Sequence, residues 1–176
     1  MPGAVSKRYA KALLALGRER GIEEALGEEL KQGAASLADP TLSGLLTLAT
    51  LGAKARQEII DRIVNLLSLS PLMGDFLRLL VQKGRLRFLA DIQDHYQRLL
   101  DQVLGRSRAR VRSAVPLSPA ELADVVSVFS HLTGTTVVPS VEVDPELLAG
   151  VVVEIEGQVY DGSLKTQIAR MGETLI

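Results

Sequence analysis

The chain lacks cysteine and tryptophan, and it has few aromatic residues of any kind. Without cysteine it forms neither disulfide bonds nor thiolate metal sites. Aromatic side chains make up only 3% of the 176 residues, so any core must be built mainly from Leu, Val, Ile and Ala. A net charge of -1 gives no general attraction to nucleic acid or to anionic membranes.

Long hydrophobic runs are missing as well. Residues 1–9 have no apolar core of signal-peptide length, and no stretch approaches the roughly 18 uncharged apolar residues that a membrane span needs. Because 47% of the residues are apolar, the chain can still bury real cores. We therefore expect a soluble protein of one or two small domains, which would associate with a membrane only through a partner.

Charge is distributed unevenly along the sequence. Residues 1–105 hold 14 Lys/Arg and 12 Asp/Glu, whereas residues 113–176 hold two Lys/Arg and nine Asp/Glu. Four arginines at alternate positions lie between these regions: Arg106, Arg108, Arg110 and Arg112. We place the domain junction near Gly105, which predicts one domain over residues 1–105 and a second over residues 106–176.

The first 105 residues show the three- and four-residue spacing of apolar positions that is typical of amphipathic helices. Six helices are predicted, with apolar positions that span residues 5–16, 22–37, 42–51, 59–67 and 72–81 in the first five, and with a sixth helix from about residue 86 to 104. Ser70-Pro71 is a typical helix start, since proline at the first helical position loses no hydrogen bond. The first helix is predicted to carry one shared apolar face, made of Val5, Tyr9, Ala12, Leu13 and Leu16. Short loops predict a six-helix bundle.

After Gly105 the apolar period changes from 3.6 to 2, which indicates strands. Strands are predicted over residues 106–113, 136–143, 151–156 and 158–161. Ser118-Pro119-Ala120-Glu121 predicts a capped helix that runs to Gly134, and Ser163 predicts the start of a final helix with Leu164, Ile168, Met171 and Leu175 on one stripe. The predicted fold class is therefore α+β multidomain, with the six-helix bundle followed by a small α/β domain of a short mixed sheet and two helices.

The four alternating arginines, here called the arginine stripe, fall on one face of their strand. Glu142 and Asp144 share a face, as do Glu154 and Glu156, so both pairs can lie across the sheet from the stripe. Opposite-charge cross-strand pairs contribute about 0.2 to 1 kcal/mol each. A phosphate-binding stripe is the rival interpretation, but the surrounding domain is acidic and has no aromatic stacking platform. We interpret the stripe as a solvated sheet face or partner edge.

No segment has the pattern of an active site. His95 and His131 lie in no triad context, and Asp91 with His95 gives two metal ligands without a third. Asp161-Gly162-Ser163 is interpreted as a tight turn and helix cap. The glycines match neither dinucleotide nor phosphate loops. We predict no catalytic, cofactor-binding or metal-binding residue and no cofactor.

Four segments, spread over nearly the whole chain, carry a family resemblance. They are Lys7-Arg8-Tyr9-Ala10-Lys11-Ala12-Leu13, Lys83-Gly84-Arg85-Leu86, Arg112-Ser113-Ala114-Val115-Pro116-Leu117-Ser118, and residues 141–164 with their strand, turn, hairpin and helix start. In this order they resemble the delta subunit of ATP synthase, the bacterial counterpart of the oligomycin-sensitivity-conferring protein. Ala149, in place of the first of two glycines, and Glu156-Gly157-Gln158 at the hairpin depart from the family pattern.

The resemblance implies a non-catalytic stator subunit of the F-type proton-translocating ATP synthase, peripheral at the cytoplasmic face of the inner membrane and present in one copy per complex. It implies that the helical domain takes up N-terminal segments of alpha subunits, mainly in a groove between its first and fifth helices. The C-terminal domain would engage the far end of the b-subunit stalk, so that proton flow and ATP synthesis are coupled. Neither nucleic acid binding nor direct membrane insertion is implied.

Carried onto this sequence, the resemblance gives seven candidate groove residues: Tyr9, Ala12, Leu13, Asp75, Phe76, Leu79 and Leu80. For each residue taken alone, plain core packing is the simpler interpretation. Tyr9 is the best candidate, because a tyrosine hydroxyl can lie at a wet rim while its ring is buried. The alternative function is a two-domain RNA-binding or regulatory adaptor, which only the arginine stripe with Arg85 and Arg87 supports.

Overall fold

The polypeptide divides into two units, Met1–Leu100 and Asp101–Ile176. The computed structural model describes residues 2–39, 42, 44, 52–155 and 157–163. The division falls inside the helix that precedes Gly105, slightly earlier than the predicted junction. In the part of the chain that is described, no helix is long and apolar enough to cross a membrane.

The described part of the first unit is helical. Its helices are α1 (Pro2–Arg20), α2 (Glu23–Leu37), α3 (Ala53–Leu66), α4 (Pro71–Gln82) and α5 (Leu89–Val103), with a 3-10 turn over Leu86–Phe88 before α5. They correspond to the first, second, fourth, fifth and sixth predicted helices. The predicted helix over residues 42–51 lies almost entirely outside the described residues. The start at Ser70 is confirmed, since its hydroxyl accepts a hydrogen bond from the Met73 backbone at 3.3 Å.

Aliphatic faces of these helices form the core of the first unit. The buried residues of α1 are Ser6, Ala10, Leu13, Leu14 and Gly17. The residues predicted to share one face of α1 do not share one environment, because Leu13 is buried whereas Ala12 and Leu16 are exposed. Helix α1 is apolar over a wide arc, and the adjacent Leu13 and Leu14 are both buried, with 1% and 6% of their surface exposed.

Tyr96 on α5 is the largest fully buried side chain in this unit. Its hydroxyl donates a hydrogen bond to the Glu23 carbonyl at 2.8 Å. The ring lies against Gly27, where a Cβ atom would come within 3.3 Å of the ring carbon Cε1. Helices α2 and α5 can therefore approach closely because position 27 has no side chain.

The burial of Tyr96 makes the stability of the first unit sensitive to alkali. Desolvation raises the pKa of its hydroxyl above the ordinary 10.0, and the nearby Glu23 charge raises it further. In the unfolded chain the hydroxyl loses its proton near pH 10, so above that pH the unfolded state binds fewer protons and the free energy of unfolding falls.

We expect Tyr96→Phe to cost about 1 kcal/mol at pH 7, because the hydrogen bond to Glu23 is lost. The variant should also lose stability less steeply than the wild type as the pH rises above about 10. Urea unfolding at a series of pH values measures both effects. Parallel curves for the two proteins above pH 10 would contradict the assignment.

The second unit is built around a four-stranded mixed sheet. Its elements are β1 (Arg106–Ser113), α6 (Pro119–Thr133), β2 (Thr136–Val143), a 3-10 turn (Pro145–Leu147), β3 (Val151–Ile155) and β4 (Gln158–Asp161). The strand order is β2-β1-β3-β4, with β1 parallel to β2 and the other pairs antiparallel. The predicted strands and fold class are confirmed, whereas the predicted final helix lies outside the described residues.

Helix α6 covers one face of the sheet. Its predicted capping box is confirmed: Ser118 accepts from the Glu121 backbone at 3.3 Å, and the Glu121 carboxylate accepts from the Ser118 backbone at 2.8 Å. Hydrogen bonds from Ser118 lower the pKa of the Glu121 carboxyl. The core below the helix consists of Ala109, Val111, Val137, Val153 and Ile155, with Leu117, Val125, Val126, Phe129 and Tyr160 packed against it. The apolar spacing of this helix predicts a buried stripe that ends at Leu132, but Leu132 is exposed.

The turn between β2 and β3 accommodates alanine at position 149, where the family pattern has a glycine. Ala149 does not need a positive φ, because the preceding Leu148 takes one instead, with φ 63° and ψ -52°. A hydrogen bond from the Ala149 backbone to the Leu147 carbonyl, 2.7 Å long, closes a γ-turn around Leu148. Gly150 follows with φ 91° and lies directly against the backbone of Gly162.

Candidate partner-binding surface of the helical unit

Tyr9 of α1 and Phe76 of α4 bring the first helix and the predicted fifth helix into contact. Their ring centres are 6.2 Å apart and the rings meet edge to face at 64°. Tyr9 is partly exposed, whereas Phe76 is 8% exposed and closes the space beneath it. The two helices thus share an aromatic contact at the surface of the unit.

The other five candidates divide into two groups. Leu13 and Leu80 lie in the core, with 1% and 0% of their surface exposed. Ala12, Asp75 and Leu79 reach solvent, and Leu79 is 39% exposed. The structure therefore places the first two beneath the surface and the other three on it.

Leu16 belongs with the accessible residues, although the sequence analysis did not include it in the groove. It is 40% exposed and follows Tyr9 by two helical turns, which puts it on the same face of α1. We use the name α1/α4 surface for the residues Tyr9, Ala12, Leu16, Phe76 and Leu79. These residues are apolar and lie on two helices that meet at Tyr9 and Phe76, and an amphipathic helix is the kind of partner that binds across two helices in this way.

A basic side chain holds Tyr9 in place. Arg85, in the turn after α4, donates a hydrogen bond from Nη1 to the Tyr9 hydroxyl at 2.5 Å, and its guanidinium carbon is 5.3 Å from the ring centre. The guanidinium carbon of Arg8 lies 5.9 Å from the same ring centre. In the sequence, Arg85 is only part of a turn motif; its contact with a residue 76 positions away has no local signal.

Asp75 shares one arginine with a second carboxylate. Arg78 donates to Asp75 from Nη1 at 2.8 Å and to Asp61 of α3 from Nε at 2.7 Å. These carboxylates, Asp61 above all, raise the pKa of the Arg78 guanidinium. The group of Arg78, Asp61 and Asp75 keeps one net negative charge, whereas the charged groups next to the Tyr9 ring are the guanidiniums of Arg8 and Arg85.

The arginine stripe of the second unit is a face of ion pairs. Arg110 lies opposite Glu154 in the β1–β3 register, with nitrogen and oxygen 3.8 Å apart, and Arg112 pairs with Asp144 at 3.2 Å. The prediction that acidic residues lie across the sheet from the stripe is confirmed for Glu154 and Asp144. Arg108 instead binds Asp101, at the end of α5, at 2.6 Å. The predicted contribution of Glu156 lies outside the described residues.

Comparison with known proteins gives one consistent result. The family model described as "ATP synthase delta (OSCP) subunit" matches residues 5–175. The chain is 37% identical to ATP synthase subunit delta of Citrifermentans bemidjiense over 98% of this chain and 96% of that protein. It is 36% identical to the subunit delta of Anaeromyxobacter sp. (strain K), over 98% of this chain and 97% of that protein.

A solved structure agrees at the level of the fold. A chain of the mitochondrial ATP synthase hexamer of Toxoplasma gondii superposes with a TM-score of 0.66 at 20% identity, over 97% of this chain and 96% of that one. The family match covers both the helical unit and the sheet unit. By the family match and by its identity to these relatives, the chain belongs to the ATP synthase delta (OSCP) subunit family.

Proposed function

We propose that the α1/α4 surface captures N-terminal helical segments of the alpha subunits, while the sheet unit holds the far end of the b-subunit stalk. As a delta-family member, the chain is a non-catalytic subunit of the peripheral stalk of F-type ATP synthase. The choice of this surface rests on the Tyr9–Phe76 contact, which brings α1 and α4 together. Both helices have accessible apolar residues near that contact in sequence. We place this subunit at the cytoplasmic face of the inner membrane, in one copy per complex.

The proposed mechanism is mechanical. The central rotor exerts torque on the catalytic head, so the head must be held by a link to the membrane-embedded stator. A link of this kind works if both of its interfaces dissociate slowly. Nanomolar binding corresponds to about -12 kcal/mol, and engagement at two ends strengthens attachment further.

The ion pairs of the arginine stripe weaken the case for an RNA-binding adaptor. In the described structure Arg108, Arg110 and Arg112 each have a carboxylate partner within this chain. Phosphate groups would have to displace those carboxylates before the guanidiniums could bind them. The stripe is therefore better explained as support for the sheet.

Two substitutions on the α1/α4 surface test the proposal. We expect Tyr9→Ala combined with Leu79→Glu to weaken binding of a peptide from the alpha-subunit N-terminus by more than about a hundredfold, since central interface residues each contribute about 2 kcal/mol or more. Titration calorimetry with the full chain measures the affinity, and circular dichroism shows whether the helices remain folded.

Leu66 provides a matched control, because it is 83% exposed on α3 and is not part of the α1/α4 surface. Leu66→Glu adds the same charge to the same unit and should bind the peptide as the wild type does. Unchanged affinity in the folded double variant would remove the α1/α4 surface from the proposal.

A further inference from the structure

Two arginines converge on Tyr9 without a carboxylate. The Arg85 guanidinium donates to the Tyr9 hydroxyl, and Arg8 approaches the same ring from within α1. In the described structure neither arginine forms an ion pair with an Asp or Glu of this chain, whereas Arg78, Arg108, Arg110 and Arg112 all do. Two guanidiniums therefore meet at one aromatic ring, and in the described structure neither is paired with a carboxylate.

The Tyr9 hydroxyl accepts only one of the hydrogen bonds that a guanidinium can donate. An arginine carries five N–H donors in a planar fork, and a carboxylate can bind that fork through two parallel hydrogen bonds. The contact with Tyr9 also restricts Arg85, which is partly buried, so less side-chain freedom is lost when a partner binds. Arg85 is thus oriented at the edge of the α1/α4 surface with its charge unneutralised.

We propose that the captured helical segment supplies a carboxylate, from an Asp or Glu beside its apolar stripe, which pairs with Arg85 next to Tyr9. The inference rests on the proposed function and specifies the chemistry of the partner. Apolar contacts with Tyr9, Leu16 and Leu79 hold the segment on the surface, and the pairing with Arg85 fixes its direction and register. Arg8 adds positive charge on the other helix and favours the same acidic segment.

The test is a double-mutant cycle by titration calorimetry with the full chain. One partner is the full chain, either wild type or with Arg85→Gln. The other partner is a peptide of the alpha-subunit N-terminus, either native or with its Asp and Glu residues changed to Asn and Gln. Each single change is expected to weaken binding roughly ten- to a hundredfold, as for close interfacial charge pairs. The two changes together should weaken it hardly more than one alone.

Arg87→Gln is the control variant. Arg87 lies two positions after Arg85. Its guanidinium carbon is 4.7 Å from the ring centre of Phe88, so its described ring contact is with Phe88 and not with Tyr9. Its removal lowers the net charge equally, so it should leave the affinity of the native peptide close to that of the wild type. Arg85→Lys should recover only part of the affinity, because an ammonium cannot form the paired hydrogen bonds of a guanidinium.

Distinct outcomes separate the pairing from the proposed function. Equal binding of native and neutralised peptides by the wild-type chain would overturn the pairing while leaving the surface intact, and that comparison does not depend on any variant folding. Arg85-dependent self-association in analytical ultracentrifugation would make a second copy the occupant and would also overturn it. No peptide binding by the folded wild type would instead refute the proposed function itself.

Discussion

ATP synthase stripped of this chain is expected to keep hydrolysing ATP while it loses ATP-driven proton pumping. Catalysis persists because this subunit is not catalytic, whereas pumping fails because the head is no longer held against the torque of the rotor. The expected change is large, with pumping near the background and hydrolysis close to the undepleted rate. Quenching of a pH-sensitive dye in reconstituted vesicles reports pumping, and phosphate release reports hydrolysis.

Adding protein back makes this prediction specific to the α1/α4 surface. Wild-type chain and Leu66→Glu should restore pumping, whereas the variant carrying Tyr9→Ala and Leu79→Glu should not. Full proton pumping by the depleted enzyme would refute the stator mechanism. Restoration by the double variant would show that the head is held through another part of the chain.

Gly150→Ala is expected to destabilise the sheet unit by about 2 to 4 kcal/mol, which combines the usual penalties for left-handed backbone strain and for overpacking. Gly150 has φ 91°, a conformation that side chains disfavour. An added Cβ would also overlap the Gly162 carbonyl oxygen and approach the Ser163 Cα to 3.0 Å. Both neighbours are backbone atoms, so the clash cannot be relieved by a side-chain rotation.

Gly157 allows the two effects to be separated. It too has a positive φ, 80°, but an added Cβ there would meet no atom within 4 Å. Gly157→Ala should therefore cost only the backbone term, about 1 kcal/mol. Urea unfolding of both variants gives the comparison, and equal losses of stability would show that the contact with Gly162 is unimportant.

The elements of the second unit could be predicted closely because their signals are local. Alternation over residues 106–113, the capping residues at Ser118 and Glu121, and the glycine at position 134 each act within a few residues. Gly134 indeed takes a left-handed conformation with φ 67° at the end of α6. The Arg110–Glu154 pair followed from the same alternation, since opposite positions in a sheet share a face.

The rotation of α1 and the surroundings of Tyr9 could not be predicted in the same way. Helix α1 has apolar residues over so wide an arc that several faces are consistent with its pattern, and the choice depends on how Leu13 and Leu14 pack against other helices. Likewise, the Arg108–Asp101 pair joins a helix end to a strand, and no periodicity connects those two positions. Such contacts follow from tertiary packing.

The 76 positions between Tyr9 and Arg85 also set an order of events during synthesis. A ribosome has made α1 long before it makes α4 and the turn that carries Arg85. A nascent chain at that stage has the α1 residues of the α1/α4 surface, but it still lacks the α4 residues and the Arg85 contact with Tyr9. Contacts between such distant positions form only after the intervening chain has been ordered. Recruitment into a larger assembly through this surface would therefore select chains whose helical unit is already complete.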